Sequence, residues 1–191
     1  MPSLESLRQL RVLVVHPADP DGDSIIRHLQ GIGCQVEGMW PPPARLPDRV
    51  DVVFYLIDDQ TRRSLPWFAG LPQAAIVAVV EHNSPDVLGL LSDCSPQAVV
   101  SKPADSFAIL SSLILARSIF RYEDRLQNKL RELDETIRSI RTVEKAKSIL
   151  MKSKNIKEKE AYEHIRTHAM NRRLPIGKVA STIIDASDLI V

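Results

Sequence analysis

The chain has 191 residues, 44% of them apolar and 26% charged, with a formal net charge of +1. That length allows one or two modest domains with a real core, and no apolar run approaches the roughly 20 residues needed to cross a bilayer. The N-terminus lacks the charged head, long apolar stretch and small-residue cleavage site of a secretory signal, so a cytoplasmic protein is expected. Cys34 and Cys94 have no second cysteine or histidine pair at metal-ligand spacing, which reads as two small buried hydrophobes. Neither a metal nor a cofactor is expected.

Leu10 to Val15, "LRVLVV", reads as a buried strand. Ser24 to Ile32 reads as a helix, with Ile25, Ile26 and Leu29 on one face and Gly31 and Gly33 as stops. "CQVEGMW", "VDVVFYLI" and Ala74–Val80 read as the next three strands. "SPDVLGLLSD" reads as a helix with Ser84 at its N-cap and Pro85 first inside, and "QAVVSKP" as a fifth short strand. Continuous apolar strands joined by helix-sized crossovers indicate a parallel sheet covered on both faces. Five of them fit an α/β, flavodoxin-like doubly wound fold. From Ser106 the pattern turns helical, with no proline until Pro175. Ile119, Tyr122, Leu126, Leu133, Ile137 and Ile140 recur at spacings of three, four and seven between charged residues. Such a narrow stripe is buried by pairing with another helix, so a homodimer through this coiled coil is expected. Lys129 and Thr136 interrupt the stripe, and Leu130 broadens it. Beyond Val143 come three helical stretches, ending near Lys152, spanning Glu158–Asn171 and starting near Pro175. Each is too short to stand alone, so a three-helix bundle is expected. The expected domains are 1–112, 113–140 and 141–191.

The fold resembles the receiver family of signalling proteins, whose site needs an acceptor aspartate after the third strand, an acidic pair after the first to hold Mg²⁺, and a lysine after the fifth. "VVSKP" supplies Lys102 at the lysine position. The acceptor position, five residues after Asp51, is Leu56, and the acidic pair is replaced by His16-Pro17. Leucine cannot accept a phosphoryl group, so this reads as a receiver-like domain without receiver chemistry. Asp58 and Asp59 stand two and three residues further on and fit a solvated loop or helix cap. Asp19, Asp21 and Asp23 complement a helix dipole rather than build a metal site.

Charge divides the chain. Residues 141–191 hold eleven Lys/Arg against six Asp/Glu, a balance of +5, and the remainder carries fourteen against eighteen, or −4. A basic tail suits a polyanion or simply a solvated helical surface. Lys145, Lys147, Lys152, Lys154, Arg166, Arg172, Arg173 and Lys178 are candidate phosphate contacts. Tyr162 and His168 can stack on an unpaired base, and Tyr162 can equally pack at the bundle edge. The tail holds Ala146-Lys147, Leu150-Met151, Glu160-Ala161-Tyr162, Ile165-Arg166, Ala169-Met170, Arg172-Arg173, Ile176 and Val179-Ala180. In that order and spacing it resembles the ANTAR domain, an RNA-binding module of bacterial antiterminators. The whole chain resembles the AmiR/NasT-type antiterminators, including one that serves an amidase operon. The resemblance implies a non-enzymatic dimer that binds leader mRNA hairpins and prevents terminator formation. It also implies control by an amide-sensing negative regulator built like a periplasmic binding protein. The competing reading is a phosphorylated response regulator with a DNA- or protein-binding output.

Overall fold

The computed structural model describes residues 7–58, 73–81 and 85–188. Ser84 and Asp59 lie outside them. The described elements are, in chain order, β1 (Arg11–Val15), α1 (Pro20–Ile32), β2 (Gln35–Met39), β3 (Val52–Ile57), β4 (Ala75–Val80), α2 (Pro85–Cys94) and β5 (Ala98–Ser101). They are followed by α3 (Ser106–Lys154), α4 (Glu158–Arg172) and α5 (Ile176–Asp188). The chain divides into two compact units, residues 1–124 and 125–191.

The first unit carries a five-stranded parallel sheet in the order β2-β1-β3-β4-β5. Every residue of β3 and β4 is buried, because side chains alternate between two covered faces. Val52, Phe54 and Leu56 join the cluster under α1 and α3, with Ile25, Leu29, Ile109 and Leu113. Val53, Tyr55 and Ile57 join the opposite cluster, with Val87 and Leu90 of α2. β2, one of the two edge strands, stays largely exposed.

Helix α1 begins four residues before the apolar pattern would place it. Asp19 is its N-cap, accepting a hydrogen bond from the Gly22 N–H at 2.8 Å, with Pro20 just inside. The first turn is polar (Asp21, Asp23), so apolar periodicity starts only at Ile25 and misses it. Gly22 is required there: a Cβ would stand 2.8 Å from both His16 Nδ1 and the Pro17 carbonyl. Gly33 ends the helix in the left-handed conformation at φ 99°.

Helix α3 runs unbroken for 49 residues. The first of the three expected tail stretches is therefore the end of this helix and not a separate one. Ile109, Leu113 and Ala116 bury its first turns against the sheet. The Arg117 guanidinium holds Asp51 at 2.8 Å, and Gln97 bridges the Ile76 N–H and Glu123. Tyr122, Leu126, Leu130, Leu133, Ile137 and Ile140 are 47–62% exposed. In the second unit Val143, Ala146 and Leu150 of α3, Ala161, Ile165 and Ala169 of α4, and Val179 and Ala180 of α5 form one core. The alanines at 146, 161 and 169 are thus packing residues that let the helices approach closely.

Candidate nucleic-acid interface

Two places in the molecule are candidates for a functional site. The first is the receiver-like site at the carboxyl ends of the strands, where open α/β sheets bind ligands. Leu56 occupies the acceptor position and is buried, 6% exposed, in the apolar core. His16 is buried, and its Nδ1 donates to the Pro17 carbonyl at 3.0 Å. The Lys102 ammonium lies 3.5 Å from Asp21 and 4.0 Å from Asp19. Partial burial pushes the Asp19 carboxyl up, but the Gly22 hydrogen bond, with His16 and Lys102 close by, leaves it below its ordinary value. Asp19 and Asp21 thus cap and charge α1 and pair with a resident cation. Among the described residues no cluster of three metal-ligating side chains exists.

The second is the basic helical unit. Its turn sits at Asn155, with φ 51°, and places the end of α3 beside α4. Lys145 and Lys152 are exposed on α3. Lys147 is not. Its side chain is 10% exposed, and Nζ donates to both Glu144 oxygens at 2.8 and 2.9 Å and to Glu158 at 2.7 Å. Those hydrogen bonds raise the Lys147 pKa, Glu144's foremost, and lower that of Glu158. Lys147 therefore ties α3 to α4 with its charge already balanced, which corrects its expected place on the phosphate-contacting surface. The Glu144 partner, three residues away on the same helix, is readable from spacing, whereas Glu158, eleven residues away, reaches Lys147 only because the turn at Asn155 brings α4 alongside, which spacing does not reveal.

On α4, each residue advances about 100° around the axis. Lys159, Tyr162 and Arg166 consequently lie within about 60° of one another, while Glu160, Glu163, His164, Thr167 and His168 line one shallow cavity. Tyr162 is 41% exposed. Arg166 is exposed and reaches Glu163 at 3.4 Å. Arg172 lies exposed in the last turn, and Arg173 closes the helix at φ 53°, ψ 40°. Tyr162 and His168, both expected to stack on bases, stand about 120° apart around the helix and do not form one platform. Among the described residues Lys145, Lys152, Arg172 and Arg173 have no carboxylate within 4.0 Å.

Residues 10–117 match the family model described as AmiR, N-terminal, and residues 131–184 match the ANTAR domain. The chain belongs to the AmiR family of regulators. Over 186 residues it is 36% identical to the aliphatic amidase regulator of Pseudomonas aeruginosa, covering 95% of this chain and 94% of that protein. It is 27% identical over 112 residues to the transcriptional regulatory protein PdtaR of Mycobacterium tuberculosis, covering 59% and 55%. Among solved structures, response regulator StyR superposes with a TM-score of 0.53 at 11% identity, covering 93% of this chain and 99% of that one. The signal receiver domain of a Luxo repressor protein from Vibrio parahaemolyticus gives 0.50 at 14%, covering 62% and 97%. At those identities the likeness is one of fold, and the fold is the receiver's.

As an AmiR-type regulator the chain joins a receiver-like sheet to an ANTAR bundle, and none of its described helices is long and apolar enough to cross a membrane. One polar pair of the bundle escaped sequence reasoning. The Lys154 ammonium donates to His164 Nε2 at 2.8 Å, and the His168 ring packs on His164 with centroids 4.7 Å apart. Partial burial, with Lys154 and His168 adjoining, lowers the His164 pKa. The only sequence signal was the spacing of the two histidines, four apart on one helical face.

Proposed function

We propose that this chain is an RNA-binding antitermination regulator. Residues 141–191 bind a leader transcript and prevent terminator formation, 113–140 pair two copies, and 1–112 receive the controlling input. The observation that carries this reading is an ANTAR bundle whose surface holds un-neutralised cations, Lys145, Lys152, Arg172 and Arg173, with an exposed aromatic, Tyr162, on the same small unit. Cations supply the phosphate attraction, and an aromatic face suits the unpaired bases of RNA loops.

Control by sequestration, through a ligand-sensing partner that holds the regulator inactive, fits a receiver-like unit whose acceptor position is a core leucine. The amidase regulator among its relatives makes an amide the first inducer to test.

The test is a gel shift with the leader RNA of the neighbouring operon, paired with a transcription read-through assay. Arg172→Ala and Arg173→Ala should each weaken binding and reduce the slope of log K against log salt by roughly 0.7 to 0.9. Tyr162→Ala should cost about 1–3 kcal/mol if the ring stacks on a base, with Tyr162→Phe mild. Circular dichroism separates lost stacking from lost folding. Unchanged affinity and slope in both arginine variants would move the interface to Lys145 and Lys152. Acid-labile phosphate on Asp58 or Asp59 after incubation with Mg²⁺ and acetyl phosphate would favour a phosphorylated response regulator instead.

A further inference from the structure

The two internally bonded lysines of the ANTAR bundle are held in chemically opposite ways. Lys147 is clamped by two carboxylates, so its charge is cancelled where it stands. Lys154, at the last turn of α3, is held by an imidazole. An ammonium carries only donors, so His164 Nε2 must be the acceptor and the ring proton sits on Nδ1. Such a ring is neutral. It fixes the direction of the lysine without removing its charge.

The surroundings preserve that state. Lys154 is exposed, and among the described residues no carboxylate lies within 4.0 Å of it. Glu160 and Glu163 line the same 380 Å³ cavity as His164, Thr167 and His168, but Glu160 accepts from the Lys157 N–H and Glu163 from Arg166. Neither Lys178 nor Asp185 of α5 lines that cavity. His164 Nδ1 is buried with no partner. The Lys154 ammonium is thus the hydrogen-bond partner of the ring. Packing of His168 on the ring holds its plane.

We infer that Lys154 is a pre-oriented phosphate-binding cation of the RNA interface and that His164 is its positioning residue. This rests on the RNA-binding reading above and names a contact within it. A free lysine loses much side-chain entropy when it is fixed by a phosphate, and one already held loses less. The neutral partner leaves the full charge available for counterion release.

The full-length chain is titrated with fluorescently labelled leader RNA of the neighbouring operon over a series of salt concentrations, with circular dichroism on every variant. Lys154→Ala should weaken binding and reduce the salt slope by roughly 0.7 to 0.9, one phosphate contact. His164→Glu should do the same while the lysine remains, because the new carboxylate cancels its charge. His164→Ala should weaken binding several-fold with the slope kept, since the charge stays and its orientation is lost. His164→Gln, whose amide oxygen can accept the same bond, should bind nearly as wild type. If wild type binds and both Lys154→Ala and His164→Glu retain its affinity and slope with native helicity, this inference is overturned and the RNA-binding reading stands. A wild-type chain that does not bind the leader RNA overturns both.

Discussion

Replacing Leu56 with aspartate would restore the acceptor that a receiver needs, and it should still fail as a switch. Leu56 lies at the end of β3, 6% exposed, opposite Val79 of β4 and within the cluster beneath α1 and α3. Losing its buried side chain removes about 2–3 kcal/mol. A carboxylate in its place faces a desolvation cost of several kcal/mol without a paired cation, limited by the carboxyl staying protonated. Together the loss is about 4–6 kcal/mol, a large part of the ~5–15 kcal/mol that holds a domain folded. With a urea slope of about 1–3 kcal/mol per molar, the unfolding midpoint should fall by roughly 1 M or more. Phosphorylation should remain absent, because His16-Pro17 provides no hard oxygen ligands for Mg²⁺. Asp19, the nearest carboxylate after β1, is engaged as a helix cap. Urea denaturation followed by far-ultraviolet circular dichroism measures the first effect. Intact-mass spectrometry after incubation with Mg²⁺ and acetyl phosphate measures the second. Stoichiometric acid-labile phosphate on the variant, or an unchanged midpoint, would refute this account of the site.

On the proposal that the exposed stripe of α3 pairs two copies in parallel, the paired change Leu126→Asp and Leu133→Asp should leave only monomer in sedimentation, since unpaired charge at a helix seam costs several kcal/mol; a persistent dimer would place the interface elsewhere. Arg173→Gly should raise the stability of the ANTAR bundle by about 1 kcal/mol, because the left-handed conformation at this cap suits glycine, yet it should weaken RNA binding; thermal melts and gel shifts on one sample check the opposite signs. His164 has a folded-state pKa below its ordinary 6.5, so the unfolded chain takes up a proton first as pH falls. Its contribution to stability is complete above about pH 6.5 and should be lost below it, and His164→Gln should flatten that part of a urea-midpoint profile between pH 7.5 and 5.

Much of this molecule was legible in one dimension. The apolar runs of β1, β3 and β4 at crossover spacing led to the parallel sheet, because a strand buried on both faces has no polar positions to alternate, and β2 and β5, at its two edges, show partial alternation. Leu56 and His16-Pro17 stand where receiver chemistry would need carboxylates, and that is readable wherever the strand ends fall. Two features were not legible in apolar periodicity or charge. The first turn of α1 is polar and held by a cap, so it leaves no mark on apolar periodicity. Among the basic residues, sequence assigns Lys147 and Lys154 the same charge and nearly the same place at the end of one helix. The turn at Asn155 brings Glu158 to one and His164 to the other, eleven and ten residues away. Which partner arrives decides whether the ammonium is spent inside the bundle or left charged at its surface. That choice is made by three-dimensional proximity within hydrogen-bonding distance, which composition and spacing do not encode.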